Sequence, residues 1–132
     1  MRDFGFELRV PDAADFVERT RVLPFVHRAS GIPVDAVLAG PGIEDLFLQR
    51  AEQRTIENVC ISVASVEDVV AMKILAGRTK DIEDVTAMLA VHADDIEVDL
   101  IRATLRLLEQ ALDQSDLTPR FDQLLRRVKR KR

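Results

Sequence analysis

The sequence predicts an α+β protein, a small mixed or antiparallel sheet followed by a C-terminal helical bundle, and three observations carry that prediction. Short β-branched runs bounded by Gly, Pro and Asn crowd the first half of the 132 residues. From Ser65 onward apolar residues recur at helical spacing. Hydrophobic residues at 47% and charged residues at 32% make a chain that can bury a core and still dissolve. At this length one core is the default, so the chain reads as a single domain, 1–128, with a sheet part (1–63), a helical part (64–128) and a basic tail (129–132).

Each element has its own local warrant. Phe4 to Val10 reads as extended, and Pro11 then opens a short helix over DAADFVERT, since proline is tolerated in a first helical turn. Val22–His27 and Val34–Leu38 read as strands; Gly31 and Pro33 separate them, and Gly40-Pro41-Gly42 closes the second. A helix follows over Glu44–Ala51. Arg54–Ile56 and Val59–Val63 are short, β-branched and joined at Glu57-Asn58, which suggests a hairpin. Ser65 with Asp68 three residues later is an acidic capping box, starting a helix that Gly77 ends near Ala76. Thr79 is expected to cap the next helix, Lys80 to about Val91, whose Ile82, Val85, Met88 and Leu89 share one face with Asp81 at its edge. Val98–Leu112 and Pro119–Val128 are two further amphipathic helices, parted by the polar turn DQSDLT.

Composition narrows the function classes. No uncharged apolar run approaches the eighteen or so residues of a membrane helix, and MRDFGFELR is too charged for a signal peptide, so the expectation is a cytoplasmic protein without a membrane partner. The single cysteine, Cys60, rules out an intrachain disulfide and is expected to pack within its strand. Six cations sit in the last seven residues, RRVKRKR, against thirteen basic and 23 acidic residues elsewhere, which leaves the body at about −10. The tail reads either as a solvated helix end complementing the macrodipole or as a weak contact for nucleic acid. With Trp and Tyr absent and six scattered Phe, no stacking platform for single strands is evident.

Chemistry is sought where polar groups break apolar patterns. Asp35 lies mid-strand on a face with Val37, opposite Val34, Ala36 and Leu38. It is either an edge charge in water or a functional carboxylate. Lys73 falls in line with Val66, Val70 and Gly77 on its helix, where a cation is costly unless paired or used. With Arg78, Lys80, Asp81 and Asp84 it crowds one helix-to-helix joint. Two readings stay open there: an ion pair of Lys73 with Asp81 or Asp84 that fixes the helix angle, or a pocket for phosphate in which lysine is a point charge and arginine a fork. Gly40-Pro41-Gly42 lacks the Lys-Ser/Thr of a P-loop, and His27 and Cys60 are isolated residues with no nucleophile pattern around them. His92 with Asp94 and Asp95 reads as a loop after a helix whose last-turn histidine complements the dipole, in preference to a metal site.

The stretches SGIPVDAVLAGPGIEDLFLQRA and ISVASVEDVVAMKILAGRTKDIEDV, in that order and spacing, resemble the nucleotidyltransferase-fold proteins related to AbiEii-type toxins of bacterial toxin-antitoxin systems. The likeness covers roughly residues 4 to 92. It implies a transferase that moves a nucleotidyl group from a nucleoside triphosphate to an acceptor with divalent metal, Mg²⁺. By the resemblance Asp35 is the third carboxylate, catalytic and metal-binding. Lys73 contacts the nucleotide phosphates, Asp81 orients Lys73 or closes the site, and Arg78 and Asp84 support nucleotide binding.

The same resemblance calls for an earlier strand and helix with a Gly-rich turn and a D-x-D pair, which would precede FGFELRV and which this sequence does not contain. One carboxylate cannot satisfy two near-octahedral Mg²⁺ ions. The expectation is therefore a truncated nucleotidyltransferase fold, inactive alone and completed by an upstream segment or another chain. The alternatives are a non-catalytic nucleotide- or partner-binding module, or a structural homodimer whose open strands pair between copies.

Overall fold

A computed structural model describes residues 4–38 and 42–131, so the turn expected at Gly40-Pro41 lies outside the described residues. The architecture is α+β, with two small antiparallel sheets early and most of the helical structure late. The chain divides into two compact units, residues 1–44 and 45–132.

In the first unit β1 (Phe6–Leu8), β2 (Val22–His27) and β3 (Pro33–Val37) form an antiparallel sheet in the order β1-β2-β3, and α1 (Ala13–Thr20) joins the first two strands. The register pairs Phe6 with His27 and Pro24 with Asp35. Arg21 turns the chain from α1 into β2 in a left-handed conformation at φ 60°, its N–H closing the helix on the Val17 carbonyl at 2.6 Å. Only Pro24 of β2 is buried, so one residue marks the densest point of this thin sheet.

The division falls within α2 (Ile43–Arg50), and the second unit continues through the hairpin β4 (Glu52–Ile56) and β5 (Val59–Val63). Glu57 and Asn58 sit at φ 50° and 68°, the paired positive angles that a two-residue hairpin needs to match strand twist. The hairpin forms its own two-stranded sheet instead of joining the first three strands. Pleat alternation puts Ile56, Val59, Ile61 and Val63 on one face and Gln53, Thr55, Cys60 and Ser62 on the other. Both faces are exposed. Cys60 thus lies in its strand but is not packed there, its Sγ donating to Gln53 Oε1 at 3.1 Å.

Four helices build the core: α3 (Val66–Ala76), α4 (Thr79–Val91), α5 (Val98–Leu112) and α6 (Leu117–Arg130). Helix α3 packs on each of the other three, as its composition requires, since eight of its eleven residues are apolar and an all-round apolar helix has to be covered. Val70, Ala71 and Ile74 of α3 meet a core that includes Val85 and Leu89 of α4, Ile101 and Leu105 of α5, and Phe121 of α6. Gly77 ends α3 at φ 67°, a left-handed angle glycine adopts without strain, and its N–H caps the Lys73 carbonyl at 3.0 Å. A Cβ there would come within 2.9 Å of Arg120 Nη1.

Helix α6 begins two residues before the expected proline and runs past Val128 to Arg130, so Lys129 and Arg130 are helical and not part of a tail. Its start is set by a neighbouring element. Glu109 of α5 accepts the N–H groups of Leu117 and Thr118 at 3.1 and 3.3 Å and the Thr118 hydroxyl at 2.7 Å, doing the work of a cap from another helix.

Candidate functional site

The α3–α4 corner brings Lys73, Arg78, Asp81 and Asp84 together. Lys73 Nζ donates to Asp84 Oδ2 at 2.8 Å and lies 3.6 Å from Asp81 Oδ1, with 30% of its side chain still exposed. Asp81 is buried, and its carboxylate is the focus of the corner. It accepts Arg78 Nε at 2.7 Å, Arg78 Nη2 at 3.2 Å and the Arg78 backbone N–H at 3.2 Å. The N-cap of α4 is therefore Arg78, not Thr79. The third residue of α4, Asp81, reaches back to the cap N–H, and Thr79 becomes the first helical residue. A carboxylate at that place also meets the positive end of the helix dipole.

These contacts set the titration of the corner. The Asp84 hydrogen bond, aided by the charge of both aspartates, raises the Lys73 ammonium above its usual value against the opposing effect of burial. The Arg78 guanidinium holds the Asp81 carboxyl below the usual carboxylate range, again against burial. A carboxyl depressed by folding stabilises the protein at pH values above its unfolded pKa, near 4, and gives up that contribution as pH falls through the folded value. Acid titration of the melting temperature should therefore show a falling limb below about pH 4 that is shallower in Asp81→Asn. Coincident limbs for the two proteins would refute the assignment.

Asp35 is in the first unit, mid-strand in β3 and more than half exposed, and it pairs with Arg9. The donor set does not suit Mg²⁺: a guanidinium occupies the carboxylate where a second acidic ligand would be needed. Among the described residues no group of three or more His, Cys, Asp or Glu could hold a metal ion.

A second polar cluster escaped the sequence reading. Asp68 is fully buried on α3, and its Oδ1 accepts Arg50 Nη1 of α2 at 2.9 Å; the same nitrogen donates to Thr104 Oγ1 of α5 at 2.9 Å. Asp68 Oδ2 has no hydrogen-bond partner among the described residues. The expected capping box is thus half formed: Ser65 Oγ accepts the Asp68 N–H at 3.2 Å, while the Asp68 side chain turns inward to Arg50. The signal was present in the almost wholly apolar composition of α3, where any charged residue risks burial.

Among the described residues no helix is long and apolar enough to cross a membrane. No protein-family model matches the chain, and no curated protein matches it.

Proposed function

We propose that the chain is a cytoplasmic nucleotidyltransferase-like module that binds the phosphates of a nucleoside triphosphate at the α3–α4 corner and does not catalyse transfer by its own residues alone. The observation that carries this reading is the position of Lys73, a partly exposed ammonium held from beneath by the buried Asp81 beside a guanidinium that is 75% exposed. In that arrangement Asp81 orients both cations, Lys73 supplies a compact charge and Arg78 a planar fork to phosphate oxygens. Asp84 swings from Lys73 when phosphate takes its place, as its partial exposure permits. Asp35, paired with Arg9, is left outside the proposed chemistry, and no step runs through Mg²⁺.

Calorimetric titration with a nucleoside triphosphate tests it. Lys73→Ala should weaken binding about tenfold or more, since a hydrogen bond to a charged group contributes about 1.5–3 kcal/mol. No heat of binding to the unaltered protein would end the proposal.

A second reading, a structural or partner-binding module or homodimer, is favoured by the charge balance of the corner, where two cations already meet two carboxylates. Lys73→Met separates the two. Loss of nucleotide binding with an unchanged or raised melting temperature supports the phosphate site, because a poor ion pair is no loss to stability. A lowered melting temperature in a protein that never bound nucleotide supports the lock.

A further inference from the structure

We infer that the exposed arc at the end of α6 is an interface for the phosphodiester backbone of nucleic acid, carried by Arg126, Arg127, Lys129, Arg130 and Lys131. All five are exposed. Nine other arginines and lysines among the described residues have a carboxylate within ion-pair distance, including Arg50, Lys73, Arg78 and Arg102. None of these five has one among the described residues, although the chain as a whole holds 23 acidic residues. Helix-dipole complementarity accounts for one or two cations in a last turn and not for five within six residues.

The geometry of the helix decides the class of partner. Phe121, Leu124, Leu125 and Val128 occupy the remaining arc of α6 and are buried in the core. At 100° per residue the five cations fan over roughly the opposite half of the cylinder, so one extended polyanion can reach several of them at once. Since the apolar arc is already used, α6 has nothing to insert into a bilayer, which removes the area-dependent part of membrane attachment. Three of the five are arginines, whose forks match phosphate oxygens. No aromatic side chain lies in this arc, so contact is to the backbone without base stacking or sequence preference. The cleft between α4 and α6, lined by Ile82, Glu83, Thr86, Leu124, Arg127, Val128 and Lys131, gives the backbone a shallow seat beside two of these cations. Glu83 is the acidic member of that lining. None of these five cations belongs to the α3–α4 corner.

Fluorescence anisotropy with a labelled 30-base-pair DNA duplex and a 30-nucleotide RNA strand provides the test. Five phosphate contacts predict, for the duplex, a slope of about −4.5 for log K against log salt, with binding readily measured at low salt. Arg126→Ala/Arg127→Ala/Arg130→Ala should weaken binding at least tenfold and reduce the slope by about three, while Arg106→Ala, an exposed cation on α5, should change neither. The charge-retaining triple Arg→Lys variant should bind within a few-fold of the original. Should the alanine variant fail to fold, acylation footprinting of the unaltered protein still decides: Lys129 and Lys131 should be protected by nucleic acid and Lys80 should not. No binding at low salt, unprotected Lys129 and Lys131, or an alanine variant equal to the original would overturn the inference. Tighter binding to vesicles of phosphatidylserine than to either nucleic acid would overturn it in favour of a membrane surface.

Discussion

Arg50→Ala is expected to destabilise the second unit by about 3 kcal/mol, the lower end of the range for removing one partner of a buried ion pair. Arg50 keeps 24% of its side chain exposed while Asp68 has none, so the loss falls on the carboxylate. With the guanidinium gone, Asp68 Oδ1 joins Oδ2 as a buried acceptor without a partner, and Thr104 Oγ1 loses its donor. The tether between α2 and the helical core goes with it. Urea unfolding measures the difference directly, and a change under about 1 kcal/mol would mean that water replaces Arg50 at little cost. The double variant Arg50→Met/Asp68→Leu should recover most of the loss, because apolar replacement of both partners of a buried pair is often neutral.

Phe121→Ala should cost a further class of energy, about 3–5 kcal/mol, through a cavity instead of a stranded charge. Phe121 is the largest fully buried side chain among the described residues, and it projects from the helix that packs against α3, α4 and α5 together. Collapse around the missing ring is therefore resisted from three sides. Phe121→Leu should cost appreciably less, and equal losses for the two would mean that shape rather than volume matters at this position. Thermal and urea unfolding with unchanged m-value would confirm that the native state alone is affected.

Much of the local structure was legible because it depends on neighbours within a turn. The strand Val22–His27, the helix Val98–Leu112 and the stop at Gly77 fall where periodicity and capping residues put them. The hairpin at Glu57-Asn58 follows from two flanking β-branched strands and from Asn58, which tolerates positive φ, while Glu57 takes its positive φ from the strand pairing. Where the observed elements depart from local signals, a longer-range partner intervenes. Thr79 is a good N-cap by residue type, yet Arg78 takes the position because Asp81 can return to its N–H. The helix expected from Pro119 starts at Leu117 because Glu109 of α5 satisfies its first amides.

The candidate site divides in the same way. Spacing alone put Lys73 near a joint with Asp81 and Asp84, and both aspartates do lie against it. Which carboxylate takes the closest contact could not be read from spacing, since it depends on how α4 crosses α3 and on Arg78 having claimed Asp81. Asp68 is the sharper case: helical periodicity put it in a capping box, while burial against α2 and α5 gave it to Arg50. By itself the sequence determined the elements, their order and the crowding of charge at one corner, because those follow from backbone propensity and side-chain period. Only the tertiary structure decided the ion-pair partners and left Arg126, Arg127, Lys129, Arg130 and Lys131 without a carboxylate partner among the described residues, because charge pairing is fixed by distances between elements that are far apart in the chain.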